Sequence, residues 1–521
     1  MDALQGFTLA FLEFSALLLA FILIAVIVAV IWMYVADVTQ TEQTIRRNYP
    51  VIGRFRYFFE TLGEFFRQYF FAMDREELPF NRAQRTWVYR SAKNIDSTVA
   101  FGSTHPLDRP GDWIFLNGLF PPLHEEVTPT STLSFGLGYA RVPYSTDRLF
   151  NISAMSFGAI SAPAIEALSQ GARDAGIWLN TGEGALSPYH LEGGCDIVFQ
   201  IGTAKYGVRD ENGRLSDDKL RALAELPEIC MFELKLSQGA KPGKGGILPG
   251  AKVTDIIAST RGIPAGRDSI SPNRHPEIDS IEDLLDMLHH IREVTGKPTG
   301  FKAVIGSTDW LDEFCVAVHA RGMAYAPDFI TIDSADGGTG AAPQSLIDYM
   351  GLPIRKSLPL VVDKLVEYGL RERIKVICSG KMINPSGVAA ALCLGADSVN
   401  SARGFMFALG CVQAQQCNRN TCPTGITTHD EELQRGLVPA DKARRVASYA
   451  RNMHHEVEMI AHSCGLREPR QLRRHHAQVI NEMGMPESLQ ELWPEATVRE
   501  EYRNSQPPAR PTAGTGPALL P

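Results

Sequence analysis

One strand–turn–helix unit and the strand after it decide the fold. They lie in residues 375–404, which read Lys375-Val-Ile-Cys-Ser-Gly-Lys-Met-Ile-Asn-Pro-Ser-Gly-Val-Ala-Ala-Ala-Leu-Cys-Leu-Gly-Ala-Asp-Ser-Val-Asn-Ser-Ala-Arg-Gly404. Short apolar runs predict strands over 375–379 and 397–401, and a helical pattern over 385–394 separates them. Strands that alternate with helices are typical of a parallel sheet, because each helix returns the chain to the edge where the next strand starts.

The same alternation extends back to about residue 148. Six further strands are predicted over 150–154, 178–181, 196–201, 231–236, 300–305 and 328–333. Helical patterns are predicted over 162–175, 281–295, 310–321, 358–368 and, beyond the last strand, 439–464. Eight such strands in about 250 residues fit an α/β fold of the (β/α)8 TIM barrel type. A doubly wound open sheet is the alternative, but no G-x-G-x-x-G motif follows the first strand.

Charge and cysteine usage exclude some classes of protein. The 521 residues carry a formal net charge of −8, which argues against a nucleic-acid-binding surface. Nine cysteines in a chain of this length indicate a reducing compartment. Four of them lie in apolar runs and are predicted to be buried small side chains, namely Cys230, Cys315, Cys378 and Cys393.

The N-terminus carries a membrane signal. Residues 14–36 contain no charge, and this length is enough to cross a bilayer that needs about 20 apolar residues. A cleaved signal peptide is the alternative; it is disfavoured because no Lys or Arg precedes the run and no small-x-small site follows it. Arg46, Arg47, Arg54 and Arg56 follow the run, so we expect a single-pass inner (cytoplasmic) membrane protein with its catalytic body in the cytoplasm.

Four regions are expected along the chain. Residues 1–40 form the transmembrane anchor, 41–135 a juxtamembrane helical and loop-rich segment, 136–465 the barrel, and 466–521 an extension disordered from about 505. Residues 86–145 are rich in Pro, Gly and Thr and contain no long periodic run, so they are predicted to be a loop-rich segment that leads into the barrel. The Arg- and Phe-rich residues 45–85 have two interpretations, an amphipathic segment on the membrane surface or a helix packed on the body.

Three cysteines follow the last predicted strand. Cys411, Cys417 and Cys422 have the spacing C-x5-C-x4-C, and Pro423 follows, as in many iron–sulfur sequences. Three thiolates without a fourth nearby predict a three-iron cluster. Zinc on the same cysteines is the alternative.

Residues that follow the predicted strands indicate a second cofactor. Glycine turns after the last two strands, Ser379-Gly380-Lys381 and Arg403-Gly404, are placed where barrels bind phosphate, which predicts flavin mononucleotide (FMN). Lys302 lies inside an apolar strand, where it can face the flavin. Further polar or glycine-rich loops carry Glu183, Lys235, Gln238, Gly337 and Gly338 to the same rim.

Five motifs in order resemble the FMN-binding synthase domain of glutamate synthase over about residues 130–465. They are Ala154-Met-Ser-Phe-Gly158, Asn180-Thr-Gly-Glu-Gly184, Gln238-Gly-Ala-Lys-Pro-Gly243, Gly337-Gly-Thr-Gly-Ala341 and the cysteine run. The whole chain looks like a stand-alone, membrane-anchored member of the FMN-binding glutamate synthase family. The resemblance implies a [3Fe-4S] cluster on the three cysteines and a catalytic pocket lined by Lys302, Glu183, Gln238 and Lys235. It also implies that FMN contacts Ala154, Met155, Ser156, Lys302, Gly337, Gly338, Ser379, Gly380, Lys381, Arg403 and Gly404.

The activity implied is the reduction of 2-iminoglutarate, formed from 2-oxoglutarate and ammonia, to glutamate. The cluster would pass single electrons and reduced FMN would deliver the hydride. Because a membrane helix follows Met1, no N-terminal glutaminase domain is expected, and ammonia would come from solution or from a separate subunit. Lys244, where larger members have Glu, and the stretch Ser271-Pro-Asn-Arg-His275 depart from the family pattern.

Two other functions stay open at this point. A membrane-linked flavin dehydrogenase would oxidise another amino or hydroxy acid and pass electrons to a quinone or a reductase. A scaffold that holds cofactors without catalysis is the third possibility. The expected partners are a small-molecule substrate, an electron donor or acceptor protein or quinone, and the membrane; nucleic acid is not expected, and a homo-oligomer is possible.

Overall fold

The computed structural model describes residues 2–66, 70 and 73–505. The predicted disorder from about residue 505 therefore lies outside the described residues. The chain divides into two compact units, Met1–Arg82 and Ala83–Pro521, and each is described by itself.

The described residues of the first unit include three helices, α1 (Asp2–Thr39), α2 (Thr44–Asn48) and α3 (Gly53–Phe66). Within α1, Gln5–Thr39 is long and apolar enough to cross a membrane, and its most apolar window is not buried at all. An N-terminal helix of this composition is either a membrane span or a signal sequence.

The second unit is built on a closed barrel of eight parallel strands, which confirms the predicted fold. Its strands in order are β4 (Phe150–Ile152), β5 (Leu179–Asn180), β6 (Ile197–Ile201), β7 (Ile229–Lys235), β10 (Thr299–Ala303), β11 (Phe329–Asp333), β12 (Lys375–Ser379) and β13 (Ser398–Ser401). β13 pairs with β4, Val399 opposite Phe150, and so closes the barrel. Each strand falls within a predicted apolar run or overlaps it, because strands buried on both faces read as continuous apolar stretches.

Helices connect most of the barrel strands. They are α5 (Ala162–Ala175), α6 (Pro188–Leu191), α7 (Asp217–Ala224), α8 (Asp255–Arg261), α9 (Ile281–Thr295), α10 (Asp309–Arg321), α11 (Gln344–Tyr349), α12 (Ile354–Glu367) and α13 (Pro385–Cys393). Local sequence sets their ends. The Ser280 hydroxyl accepts from the backbone N–H of Asp283 at the start of α9, and Gly296 ends the helix in the left-handed region with φ 70°. The predicted bounds of α5 and α9 are confirmed at both ends.

A short hairpin covers the N-terminal end of the barrel. It consists of β2 (Leu133–Phe135) and β3 (Tyr144–Thr146), and it buries Phe135 completely. The Phe135 ring packs edge-on at 5.9 Å from Trp178 and 5.7 Å from Phe329, each of which immediately precedes or begins a barrel strand. Because this end is closed by aromatic side chains, access to the barrel interior is from the opposite end, where the strands terminate.

The remaining elements surround the barrel. They are α4 (Arg82–Ala92), α14 (Arg403–Leu409), α15 (Glu431–Gln434), α16 (Pro439–Ser463), α17 (Leu489–Leu492), β1 (Trp113–Phe115), β8 (Ile247–Leu248), β9 (Ser269–Ile270), β14 (Ala477–Ile480) and β15 (Pro486–Ser488). β14 pairs with both β1 and β15, so residues after the barrel form one sheet with residues before it.

Residues 86–145, predicted to be loop-rich, include most of α4, all of β1 and β2, and the first residues of β3. Tertiary contacts hold α4 in place, because Val88 is fully buried and Trp87 packs 5.9 Å from the ring of Tyr449 on α16. Because most residues of α4 are polar, its buried face gives no apolar periodicity that would predict a helix.

Candidate functional site

A cavity of about 1270 Å³, counting its open mouth, lies where the barrel strands end. Each of the eight strands places a residue at its own end, or just beyond it, in the wall: Ser153, Glu183, Gln200, Lys235, Lys302, Asp333, Ser379 and Ala402. This is where catalytic residues of (β/α)8 enzymes collect.

Most of the residues predicted for the site meet in this cavity. Its wall includes Ala154, Met155, Ser156, Glu183, Lys235, Gln238, Lys302, Gly338, Ser379, Gly380, Lys381, Arg403 and Cys417. Four predicted residues do not line it: Gly337, Gly404, Cys411 and Cys422.

Glu183 and Lys235 form an ion pair inside the cavity. The Lys235 Nζ lies 2.8 Å from the Glu183 Oε1 and also donates to the Gln238 Oε1 at 2.5 Å. Both charged side chains are largely buried, at 15% and 8% exposure. Burial alone would raise the pKa of Glu183, but the charge and hydrogen bond of Lys235 outweigh it and hold that pKa below its usual value. Glu183 is therefore ionised at neutral pH.

Lys302 stands beside this pair on the next strand. It lies opposite Lys235 in the register of β7 and β10, and it is 5% exposed. Its Nζ is 3.9 Å from Oδ2 of Asp333, which also accepts from the backbone N–H of Gly239 at 2.9 Å. Asp333 thus connects the buried lysine to the start of the loop that follows β7.

The sequence did not predict three further cations of the cavity wall to be site residues. Lys241 is 6% exposed, and burial together with the nearby charge of Lys235 lowers its pKa to about 8. The Arg261 guanidinium donates to the carbonyl of Phe157 at 2.8 Å, and the Lys252 Nζ donates to the carbonyl of Ala159 at 2.9 Å. For Lys241 and Lys252, the signal available in the sequence was the lysine- and glycine-rich stretch Lys241–Lys252, which is equally typical of a solvated loop.

The glycine turns after the last barrel strands adopt the conformations that a close approach requires. Gly380 has φ 108°, and a Cβ at this position would collide with Ser334. Lys381 follows with φ 56°, and its Nζ is 2.8 Å from Oδ2 of Asp336. A Cβ at Gly338 would likewise collide with Arg403. The two glycines therefore allow close packing against Ser334 and Arg403, and the cations Lys381 and Arg403 line the cavity beside them.

Arg403 links this side of the cavity to the cysteine loop. Its Nη2 donates to the carbonyl of Thr339 at 2.5 Å, while Nη1 lies 3.9 Å from the Cys417 Sγ. The Cys417 carbonyl in turn accepts from Lys252 at 3.3 Å. A guanidinium and an ammonium thus stand between the cavity and the loop, where they favour negative charge on either side.

The three cysteines differ in environment. Burial raises the pKa of Cys411 to about 11, although the Gln413 N–H donates to its Sγ at 3.4 Å. Burial would raise the pKa of Cys422 as well, but hydrogen bonds from Thr424 and Thr427 outweigh it and lower that pKa. Among the residues that the structure describes, no three Cys, His, Asp or Glu side chains are arranged to hold a metal ion. The predicted cluster remains a prediction.

A buried carboxylate inside the barrel was not predicted. Glu233 is 1% exposed; its Oε1 accepts from Asn180 at 2.9 Å and from Gln200 at 2.6 Å, and its Oε2 accepts from Thr331 at 2.5 Å. Asn180 also accepts from the N–H of Gly182, directly before Glu183. Glu233 therefore supports the turn that carries Glu183. A carboxylate within an apolar strand was the signal available in the sequence.

Comparisons with known proteins show what the chain is similar to. Residues 134–467 match the family model described as the conserved region in glutamate synthase. The chain is 38% identical over 508 residues to the glutamate synthase large subunit-like protein YerD of Bacillus subtilis, covering 90% of this chain and 96% of that protein. It is 38% identical over 324 residues to the archaeal-type glutamate synthase [NADPH] of Thermotoga neapolitana, covering 62% of this chain and 60% of that protein.

Solved structures with a similar chain path include a flavocytochrome b2 variant with bound sulfite. It is 13% identical, has a TM-score of 0.44, and covers 89% of this chain and 92% of its own. A mandelate oxidase variant described with an FMN adduct has a TM-score of 0.40 at 15% identity, covering 76% of this chain and 92% of its own.

Proposed function

Because the chain belongs to the glutamate synthase family and is a glutamate synthase-like oxidoreductase, we propose that it reduces 2-iminoglutarate, formed from 2-oxoglutarate and ammonia, to glutamate. The observation that supports this reaction best is the Glu183–Lys235 ion pair, which lies in a cavity whose other charged residues are six cations and Asp333. The chain spans about 60% of the length of the archaeal-type relatives, so their complete activity is proposed here rather than assigned.

FMN and an iron–sulfur cluster are the proposed cofactors. Lys381, Arg403 and the turn at Ser379 and Gly380 line one part of the cavity and would fit a phosphate, since cations and backbone N–H groups favour an anion. The flavin would be held further by Ala154, Met155, Ser156, Lys302, Gly337, Gly338 and Gly404. Three thiol donors at Cys411, Cys417 and Cys422 fit a three-iron cluster by their chemistry. When bound, FMN would supply a hydride and the cluster would supply single electrons.

The chain's own residues would bind and polarise the substrate. 2-Oxoglutarate carries two carboxylates, and Lys241, Arg261 and Lys302 are cations in the same wall. A charge pair 4 Å apart in a site of this kind is worth about 4 kcal/mol at an effective dielectric constant near 20. Glu183, ionised and buried, would stabilise the positive charge of a protonated imine, and Lys235 would hold Glu183 and Gln238 in place.

An anaerobic experiment tests the reaction. The detergent-purified holoprotein is reduced with dithionite, excess reductant is removed, and the flavin absorption is followed after addition of 2-oxoglutarate and ammonium. We expect the flavin to reoxidise with glutamate formed in step. A flavin that stays reduced when both substrates are present would contradict the synthase reaction.

A membrane-linked flavin dehydrogenase is the second candidate, and the exposed apolar helix α1 favours it. In this function the protein would oxidise another amino or hydroxy acid and pass electrons to a quinone or a reductase. Reoxidation of the dithionite-reduced holoprotein by a soluble quinone analogue, without any reaction with 2-oxoglutarate and ammonium, would support it.

The same helix supports a proposed location. α1 would be the single-pass anchor, and the four arginines that follow it would hold the catalytic body in the cytoplasm. Resistance of the full chain to extraction by alkaline carbonate tests the anchor. Release into the soluble fraction after cleavage near residue 40 would show a signal sequence instead.

A further inference from the structure

The amphipathic helix α3 carries an aromatic surface that the barrel chemistry does not use. We propose that α3 lies flat in the boundary between headgroups and acyl chains of the bilayer that α1 crosses, and that Asp37 is the clamp that sets its direction. This inference rests on the membrane anchor proposed above. The occupant of the aromatic surface would be phospholipid.

The aromatic surface of α3 consists of Phe55, Phe58 and Phe59, with Ile52 just before the helix. These four side chains are 57–73% exposed. The i, i+3, i+4 spacing of the three rings places them on one face, where Phe55 stacks on Phe59 at 6.5 Å and Phe58 meets Phe59 edge-on at 5.4 Å. Tyr57, Glu60 and Thr61 lie on the opposite face. A contiguous aromatic face opposite a polar one is typical of interfacial helices.

Asp37 fixes where α3 begins relative to α1. Its side chain has no exposed surface, and its Oδ1 lies 2.6 Å from Arg46 and 2.9 Å from Arg54. Its Oδ2 accepts from the backbone N–H of Val51 at 2.9 Å. A carboxylate at the end of an apolar helix is costly unless it is paired in this way. The three contacts therefore tie the last turn of α1 to α2, to the turn after it, and to the first turn of α3.

The clamp places the start of α3 beside Trp32, and Trp is a residue type that is enriched at membrane boundaries. The Arg54 guanidinium lies 5.8 Å from the centre of the Trp32 ring. Trp32 precedes Asp37 by five residues, and Trp is enriched where a membrane helix meets the headgroups. Arg47 and Arg56 are exposed beside this point and would meet anionic headgroups. Aromatic side chains, exposed arginines and the end of an apolar helix thus coincide at one depth.

Photocrosslinking to lipid tests the proposal in the full chain. The photoreactive phenylalanine analogue p-benzoylphenylalanine replaces Phe55 or Phe59 on the aromatic face, Glu60 or Thr61 on the opposite face, and Phe21 within α1 as a reference. The holoprotein is placed in nanodiscs of phosphatidylcholine and phosphatidylglycerol, irradiated and analysed by mass spectrometry. We expect phospholipid adducts at positions 21, 55 and 59 and their loss at positions 60 and 61.

Other outcomes overturn distinct parts of the inference. Adducts at position 21 with none at 55 or 59, or equal adducts on both faces of α3, would overturn the interfacial helix and leave the anchor intact. No adduct at position 21 would overturn the anchor itself. Asp37→Asn should remove the adduct at position 59 and keep the one at 21, while Glu42→Gln, an exposed acid outside the clamp, should change neither. An unchanged adduct at 59 in Asp37→Asn would overturn the clamp.

Discussion

At the residue scale, Glu183 is the side chain whose charge should matter most. Glu183→Gln keeps an acceptor for Lys235 but removes the negative charge that would face a protonated imine. We expect kcat for glutamate formation to fall by about 100-fold, the lower end of what one preorganised electrostatic contact contributes. The anaerobic assay measures this, with Glu211→Gln as the control because Glu211 is exposed in a loop outside the cavity. Equal activity of the two variants would remove Glu183 from the reaction.

Lys241 should make substrate binding depend on pH. Burial lowers its pKa to about 8, so it carries its full charge below that pH and loses it as the pH rises through 8. We expect the Kd for 2-oxoglutarate, measured by titration calorimetry, to rise tenfold per pH unit above about 8, since an uncharged amine attracts no carboxylate. Lys241→Arg keeps a charge throughout this range and should abolish the dependence. A Kd that rises equally in Lys241→Arg would assign the titration to another group.

Glu233 should contribute to stability through the donors that it satisfies. Glu233→Ala leaves Asn180, Gln200 and Thr331 without their buried acceptor, and each such loss costs about 1–3 kcal/mol. Glu233→Gln can keep one oxygen for the two amides and donate its own amide to Thr331. We therefore expect a large fall in melting temperature for Glu233→Ala and a small one for Glu233→Gln. A similar fall in both would show that the charge, rather than hydrogen bonding, is what matters.

The residues of the site were predictable to different degrees. Lys302 lies inside an apolar strand and Lys235 ends one, so each charged residue stands out against its neighbours, and Glu183 follows a strand within a short turn. Lys252 and Arg261 could not be found in this way, because they lie in a long polar loop and a short helix where charged residues are normally solvated. Their burial results from folding of that loop over the barrel rim.

At the scale of elements, strands and helices were predictable where the pattern of apolar residues along the chain is clear. The buried strands form continuous apolar runs, and caps at Ser280 and Gly296 mark both ends of α9. α4 has no such pattern. Its place depends on contacts with α16, such as Trp87 on Tyr449, and with the cysteine loop, where Tyr89 donates to the carbonyl of Cys411 at 2.6 Å. A single sequence does not show contacts between residues more than 300 positions apart.

The packing of α5 on α16 depends on a glycine. A Cβ at Gly171 would lie 2.6 Å from the side chain of Val446 and 2.7 Å from the carbonyl of Ala443. We expect Gly171→Ala to lower the free energy of unfolding by about 1–3 kcal/mol, because the two helices must separate. Val446→Ala in the same chain should restore a small part of this loss, since it removes the clash with Cγ1 but keeps those with the Cβ at position 446 and with the Ala443 carbonyl.

Calorimetric or denaturant melts of the two single variants and the double variant measure that coupling. Gly436→Ala is the matched control, because nothing lies within 4 Å of a Cβ at that position. Strictly additive effects of Gly171→Ala and Val446→Ala would contradict the close contact between α5 and α16.

At the scale of the whole molecule, we expect one compact unit to set the location of the protein and the other to carry out the reaction. The cavity and its charged residues lie within Ala83–Pro521, whereas the apolar helix α1 belongs to Met1–Arg82. Removal of residues 2–78 keeps α4 and its contacts with α16 and the cysteine loop. We therefore expect a chain that stays in the aqueous phase without detergent and keeps the melting temperature of the barrel.

The same deletion separates the two candidate functions. If the protein is a synthase, the substrates meet only barrel residues, so dithionite-driven glutamate formation should be unchanged. If it is a dehydrogenase that delivers electrons to the membrane pool, turnover with native membranes should fall sharply, while turnover with a soluble quinone analogue should persist, because only the shared location is lost. A deletion variant that unfolds or loses its flavin would show that Met1–Arg82 contributes to the fold of the barrel unit. The expectation that the two units have separate roles would then be wrong.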